Sequence, residues 1–275
     1  MAAFTDLDDL VNKASGGNSG TPETVFAYKT PLVGTNTVTE TWNGGWWDMW
    51  AFRGTPRSGT VPGTVAAPTG ATAGAVQGIT NAGGTREKFL TQVAFNSATD
   101  FHLLVYDRLL HIGGLNLSLT SAQTVGGTLT RNTGGEGNRI WLVHNGATGT
   151  GSNPNVTASY TNQDGTASRT TEAVDWNANA GSFPSEQITE LPLQLGDTGV
   201  QAVASVTLAS SITGGNDFSV VVAKPLVSMV TRSGRGLFDS GYPLIEDDAC
   251  IAFALWPIAF SHEHPILVGM TFVES

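Results

Sequence analysis

Lysine is nearly missing: in 275 residues it stands only at positions 13, 29, 88 and 224. Helical proteins spend Lys and Glu freely on exposed faces, so this scarcity argues against long amphipathic helices. Basic charge is short overall, with 13 Lys and Arg against 23 Asp and Glu and a formal net charge of −10. No nucleic-acid partner is expected, because such surfaces gain affinity by matching phosphates with Lys and Arg. No run of about 18 apolar residues occurs, so no membrane span is expected. The residues after Met1, "AAFTDLDDLV", lack the basic start and apolar core of a secretory signal. The single cysteine, Cys250, cannot form an intramolecular disulfide and reads as a small buried apolar residue. Familiar catalytic signatures are missing too: there is no G-x-S-x-G, H-E-x-x-H or C-x-x-C, and no Lys preceded by Gly. No cofactor and no enzymatic activity are expected.

What is present is turn and strand text. Gly 34 and Pro 12 with 13% charged residues fit a loop-rich all-β chain. In "NVTASYTNQDGTASRTTEAV", Asp164-Gly165 joins two β-branched runs and predicts a two-residue type I′ hairpin, which makes Asp164 architectural. From residue 86 onward strand candidates alternate with turns, among them "FLTQVAF", "FHLLVYDRLLHI", "GTLTRN", "RIWLVHN", "DFSVVVAK", "LVSMVT", "CIAFALW" and "ILVGMTFV". "FHLLVYDRLLHI" is apolar enough to be a short helix instead. In residues 200–208, Val200, Ala202, Ala204, Val206 and Leu208 alternate with Gln201, Ser205 and Thr207, which predicts a half-buried strand. About a dozen such strands indicate an antiparallel β-sandwich or jelly roll.

Two segments stand apart. Residues 1–23 predict a short capped helix and linker, with Leu7, Leu10 and Val11 as its apolar stripe; so short a helix must dock on the body or a neighbour. Residues 24–275 form the β body, and within it the Gly, Ala, Thr and Pro segment 54–85 predicts an extended arm lying on a surface, that of a partner included.

Candidate sites are few. Trp42, Trp46, Trp47 and Trp50 fall within nine positions and suit a core or a subunit contact, or else a sugar-stacking platform. Asp175, Asn177, Asn179 and Glu186 match calcium-loop spacing, although Ala180 and Pro184 fit such a loop poorly and an Asn-rich turn is the plainer reading. His262 and His264 share one strand face, as a zinc or nickel site needs, with Asp247 or Asp248 as a further ligand; a polar loop is the plainer reading. Asp107 and Arg108 suggest an ion pair at a strand edge between His102 and His111. "LIEDDAC" reads as a solvated turn.

The blocks "LLVYDRLLHIGGLN", "SYTNQDGTASR", "LPLQLGDTGVQAVASVTLAS" and "VVVAKPL" resemble tailed-bacteriophage virion proteins described as capsid, decoration or structural proteins, over most of residues 36–275. The resemblance implies a non-enzymatic, head-associated protein. With no long helical period for a capsid spine, it points to a cement or decoration protein on the outer capsid surface. Its expected partners are the major capsid protein and further copies of itself, as a trimer. A host-receptor or glycan-binding fibre module is the alternative, and a glycoside-active enzyme a remote third.

Overall fold

The computed structural model describes residues 22–30, 45–82, 86–145, 154–176, 186–212, 217–257 and 266–274. The helix expected within residues 1–23 lies outside them, except that Glu23 already opens a strand. Among the described residues the chain is all-β, with seventeen strands and no helix. The first six are β1 (Glu23–Thr30), β2 (Trp46–Asp48), β3 (Arg53–Thr55), β4 (Lys88–Ser97), β5 (Phe101–Asn116) and β6 (Gln123–Thr124). Then come β7 (Arg139–His144), β8 (Asn155–Asn162), β9 (Arg169–Thr170), β10 (Val174–Asp175), β11 (Gln187–Leu191) and β12 (Val200–Leu208). The last are β13 (Asp217–Thr231), β14 (Gly234–Asp239), β15 (Leu244–Ile245), β16 (Ile251–Pro257) and β17 (Ile266–Glu274).

Three layers result, so the expected face-to-face packing of antiparallel sheets is present, with the middle layer closed into a barrel. The barrel runs β11-β2-β16-β5-β13-β7, one flanking sheet runs β14-β4-β17-β1-β3, and the other runs β10-β8-β12-β6. Because side chains alternate along a strand, each barrel strand feeds two cores at once. Leu103, Val105, Phe253 and Leu255 point outward to meet Val25, Val93, Val268 and Met270 of the first flanking sheet. Leu142, Val220 and Val222 point outward farther along to meet Val156, Tyr160, Val203 and Val206 of the second. β5 and β13, 16 and 15 residues long, are shared by both halves. β5 is thus a strand throughout, not the short helix its composition also allowed.

The bore is filled. Tyr106, Trp141, Trp50 and Val221 project inward, opposite the small residues Ala223, Cys250, Ala252 and Ala254. Alternating large and small side chains is how a narrow barrel packs without voids. Gly59 and Gly74 give Trp50 its slot, since a Cβ at either would come within 2.2 Å or 2.7 Å of the indole.

Several strand expectations need correction. "DFSVVVAK" and "LVSMVT" are one strand, because Pro225 sits at a register shift in β13, where a missing N–H is tolerated. "GTLTRN" is irregular, with Gly127 in the left-handed region. In β12, register shifts at Gln201 and Ala204 exchange the inward set: Val200, Val203, Val206 and Leu208 are buried, and Ala204 is exposed. The hairpin after β8 exists, but Gly165 alone takes a positive φ (77°) while Asp164 keeps a negative one. The turn is therefore a type I turn closed by a left-handed glycine, held by Asn162 Oδ1, which accepts from the N–H groups of Asp164 and Thr166.

Residues 54–82 lie along their own chain. The Ala66 and His111 backbones exchange two 2.9 Å hydrogen bonds, Gly113 N–H donates to Pro62 O, and Val76 N–H donates to Ile251 O. Lys29, buried under this segment, donates to Phe52 O and Pro56 O at 2.9 Å.

Candidate interaction surfaces and the buried polar core

Asp107 and Arg108 are consecutive strand residues, so their side chains leave opposite faces of β5. They do not pair with each other. Arg108 points into the bore, where its Nη1 meets Asp48 Oδ2 at 2.6 Å; Tyr106 donates its hydroxyl to Asp48 Oδ1 at 2.6 Å. Asp107 points outward and takes a two-pronged bond from Arg131 at 2.9 and 3.0 Å, plus the Cys250 N–H at 2.8 Å. Arg131 also donates to Pro68 O, which ties the 54–82 segment to the barrel wall.

Charge stays in place inside the bore for a physical reason. Burial pulls the Arg108 guanidinium down, but the Asp48 carboxylate and Tyr106 hydroxyl more than offset it and leave the pKa raised. Burial, reinforced by Arg108, pushes His111 well below its ordinary value, so the ring is neutral. Its Nε2 lies 3.1 Å from Ser219 Oγ, which donates to Asn145 Oδ1 at 2.8 Å. A Ser beside a His invites comparison with a nucleophile and its base, yet both are fully enclosed by the filled bore, where no substrate can reach. Burial also lowers Lys29 to about 8, with Asp48 opposing, and raises the Cys250 thiol to about 12.

The expected tryptophan cluster divides. Trp47 faces the first outer core and Trp50 the bore, and both are buried within the chain. Trp42 lies outside the described residues. Trp46 caps one mouth of the barrel, where its ring centroid is 5.8 Å from Trp256 and 6.3 Å from His102, each edge-on. Trp256 is 39% exposed. Its place was legible in "CIAFALW", since Ala252, Ala254 and Trp256 share one strand face.

The outer face of the first flanking sheet was not anticipated. Antiparallel register lines up Phe26, Gly269, Ala94 and Leu237 in one row across β1, β17, β4 and β14. Tyr28, Leu267, Asn96 and Arg235 form the next row. Phe26 and Leu237 are 62% and 64% exposed, and between them Gly269 and Ala94 floor a shallow trough. Contiguous apolar surface of this kind marks an interaction site more often than scattered residues do.

Of the metal candidates, Asn177, Asn179, His262 and His264 lie outside the described residues, as do the helical Leu7, Leu10 and Val11. Asp175 belongs to β10, opposite Asn155. Glu186 is buried with a φ of 72°, and its backbone bonds to His144 and Asp48. Among the described residues no group of three or more His, Cys, Asp or Glu is placed to hold a metal. The turn expected at "LIEDDAC" is present: Asp247 and Asp248 accept hydrogen bonds from Ala82 and Asn81.

No protein-family model matches the chain, and no characterised protein matches it in sequence. Among solved structures it is similar to the VP2 subviral particle of infectious bursal disease virus, at 9% identity and a TM-score of 0.23, over 94% of this chain and 80% of that one. A second similarity is to T=1 particles derived from the same virus, at 11% identity and a TM-score of 0.22, over 92% and 77%. Superpositions this loose carry no inference about what the chain does.

Proposed function

We propose that this chain is a non-enzymatic virion structural protein that binds the phage head as a cement or decoration protein. The observation that carries this reading is the exposed apolar trough of Phe26, Leu237, Leu267, Gly269 and Ala94, set on a body whose bore is packed with side chains. Such a body presents surface for neighbours and keeps its buried carboxylates, Asp48 and Asp107, engaged by guanidinium groups. The resemblance in the "LLVYDRLLHIGGLN" and "LPLQLGDTGVQAVASVTLAS" blocks agrees with it. In this reading the partners are the major capsid protein and other copies of the chain, as a trimer on the outer surface. A protein that binds only the assembled shell stabilises it by its binding free energy. Mixing the purified chain with undecorated heads and sedimenting them tests this: the chain pellets with the heads and raises their melting temperature. A chain left in the supernatant overturns it.

The exposed Trp256 beside Trp46 favours a second reading, a receptor-binding module in which these indoles stack on a host sugar. Glycan-array binding that is lost in Trp256→Ala, with no binding to heads, decides for it.

A further inference from the structure

We infer that β14 is a self-pairing edge, by which two copies of this chain join their first flanking sheets across a twofold axis at Leu237. This goes beyond the head-binding reading and stands without it; the trimer of that reading can contain a twofold edge only as two trimers joined through β14. β14 is the outermost strand of its sheet, paired to β4 on one side only among the described residues. Natural edge strands are usually blunted by Lys, Pro or a bulge against pairing with another chain. "GRGLFD" has no Lys, Pro or bulge, its two edge charges, Arg235 and Asp239, are of opposite sign, and its register with β4 runs unbroken from Gly234 to Asp239.

The occupant follows from the order of side chains. Arg235, Leu237 and Asp239 share the outer face and are all exposed. When a strand pairs antiparallel with itself about its central residue, Leu237 meets Leu237 of the second copy, Arg235 meets Asp239, and Asp239 meets Arg235. On the other face Gly236 falls opposite Phe238, leaving the ring room. Opposite-charge and apolar cross-strand pairs each favour this register. A partner of another sequence would have no reason to match the strand's charges in reverse order. The same step doubles the trough, because Leu237 is both its rim and the twofold centre.

Three measurements on the full chain decide it. In sedimentation velocity the wild type runs as a dimer of about twice 28.6 kDa or a larger assembly built on it. Arg235→Asp and Asp239→Arg each place like charges opposite one another and each runs as a monomer. Mixed, the two complement both pairs and return a heterodimer. Asp239 also accepts from Gly241 N–H and Tyr242 in its own turn, so near-ultraviolet circular dichroism is compared first to show that the variant is folded. Leu237→Cys gives an independent readout, since the native Cys250 is buried. Leu237→Cys oxidises to a disulfide-linked dimer, whereas Leu195→Cys, at a position 94% exposed, does not. A monomeric or freely trimeric wild type, a mixture that stays monomeric, or equal cross-linking at both cysteines overturns the inference.

Discussion

Asp48 and Arg108 meet inside the barrel at 2.6 Å with each side chain 1% exposed. A buried pair of this kind need not add net stability, but removing one partner strands the other charge in a low-dielectric interior. Asp48→Ala is therefore expected to cost about 3–5 kcal/mol in urea unfolding. The double variant Asp48→Ala with Arg108→Met removes the stranded charge and recovers part of that loss.

Acid weakens the fold through its neutral histidines. Burial lowers His144 to about 3 and holds His111 well below its ordinary value, whereas in the unfolded chain each protonates near 6.5. The unfolded state then binds more protons, so this stability is complete above pH 6.5 and drains as pH falls from there toward 3. The slope approaches about 1.4 kcal/mol per pH unit for each histidine. Melting temperatures taken between neutral pH and pH 4.5 should show it, and His144→Phe should flatten it.

The Trp50 slot predicts a sharp contrast between two glycines. A Cβ at Gly59 would meet the indole at 2.2 Å, whereas at Gly63 it meets nothing within 4 Å. Gly59→Ala is expected to destabilise by about 1–3 kcal/mol and to shift tryptophan fluorescence, as overpacking does. Gly63→Ala should leave both unchanged.

The bulges of β12 make a second test of packing. Val203 is buried and Ala204 exposed, so Ala204→Lys should melt with the wild type. Val203→Lys should fail to fold or lose several kcal/mol, because it buries an unpaired charge.

Much of the fold was legible in the sequence, for local reasons. Turn chemistry at Asp164-Gly165 and the long apolar run at 101–112 report on neighbouring residues, and both led to strands. Bulges are set by the partner strand, so Val203 could not be told from Ala202 and Ala204 by alternation alone. β1 escaped notice because "TVFAYK" is apolar on both faces, with Phe26 and Tyr28 outward and Val25 and Ala27 inward. Aromatic richness around Trp46 was visible, but which indoles would be enclosed depended on barrel closure by β11 and β16, far away in the chain. The division of Asp107 from Arg108 followed from strand alternation and could have been drawn from the sequence once β5 was taken as a strand.

In the first flanking sheet β1 is hydrogen-bonded along seven register positions to β17, from Glu23 opposite Phe272 to Lys29 opposite Ile266. During translation the early strand must therefore wait, with Val25 and Ala27 uncovered, until nearly the whole described chain has left the ribosome. Closing so long a loop is slow compared with forming hairpins. Overexpression at low temperature, or with holdase chaperones, should accordingly raise the soluble yield, and chains halted before residue 266 should aggregate.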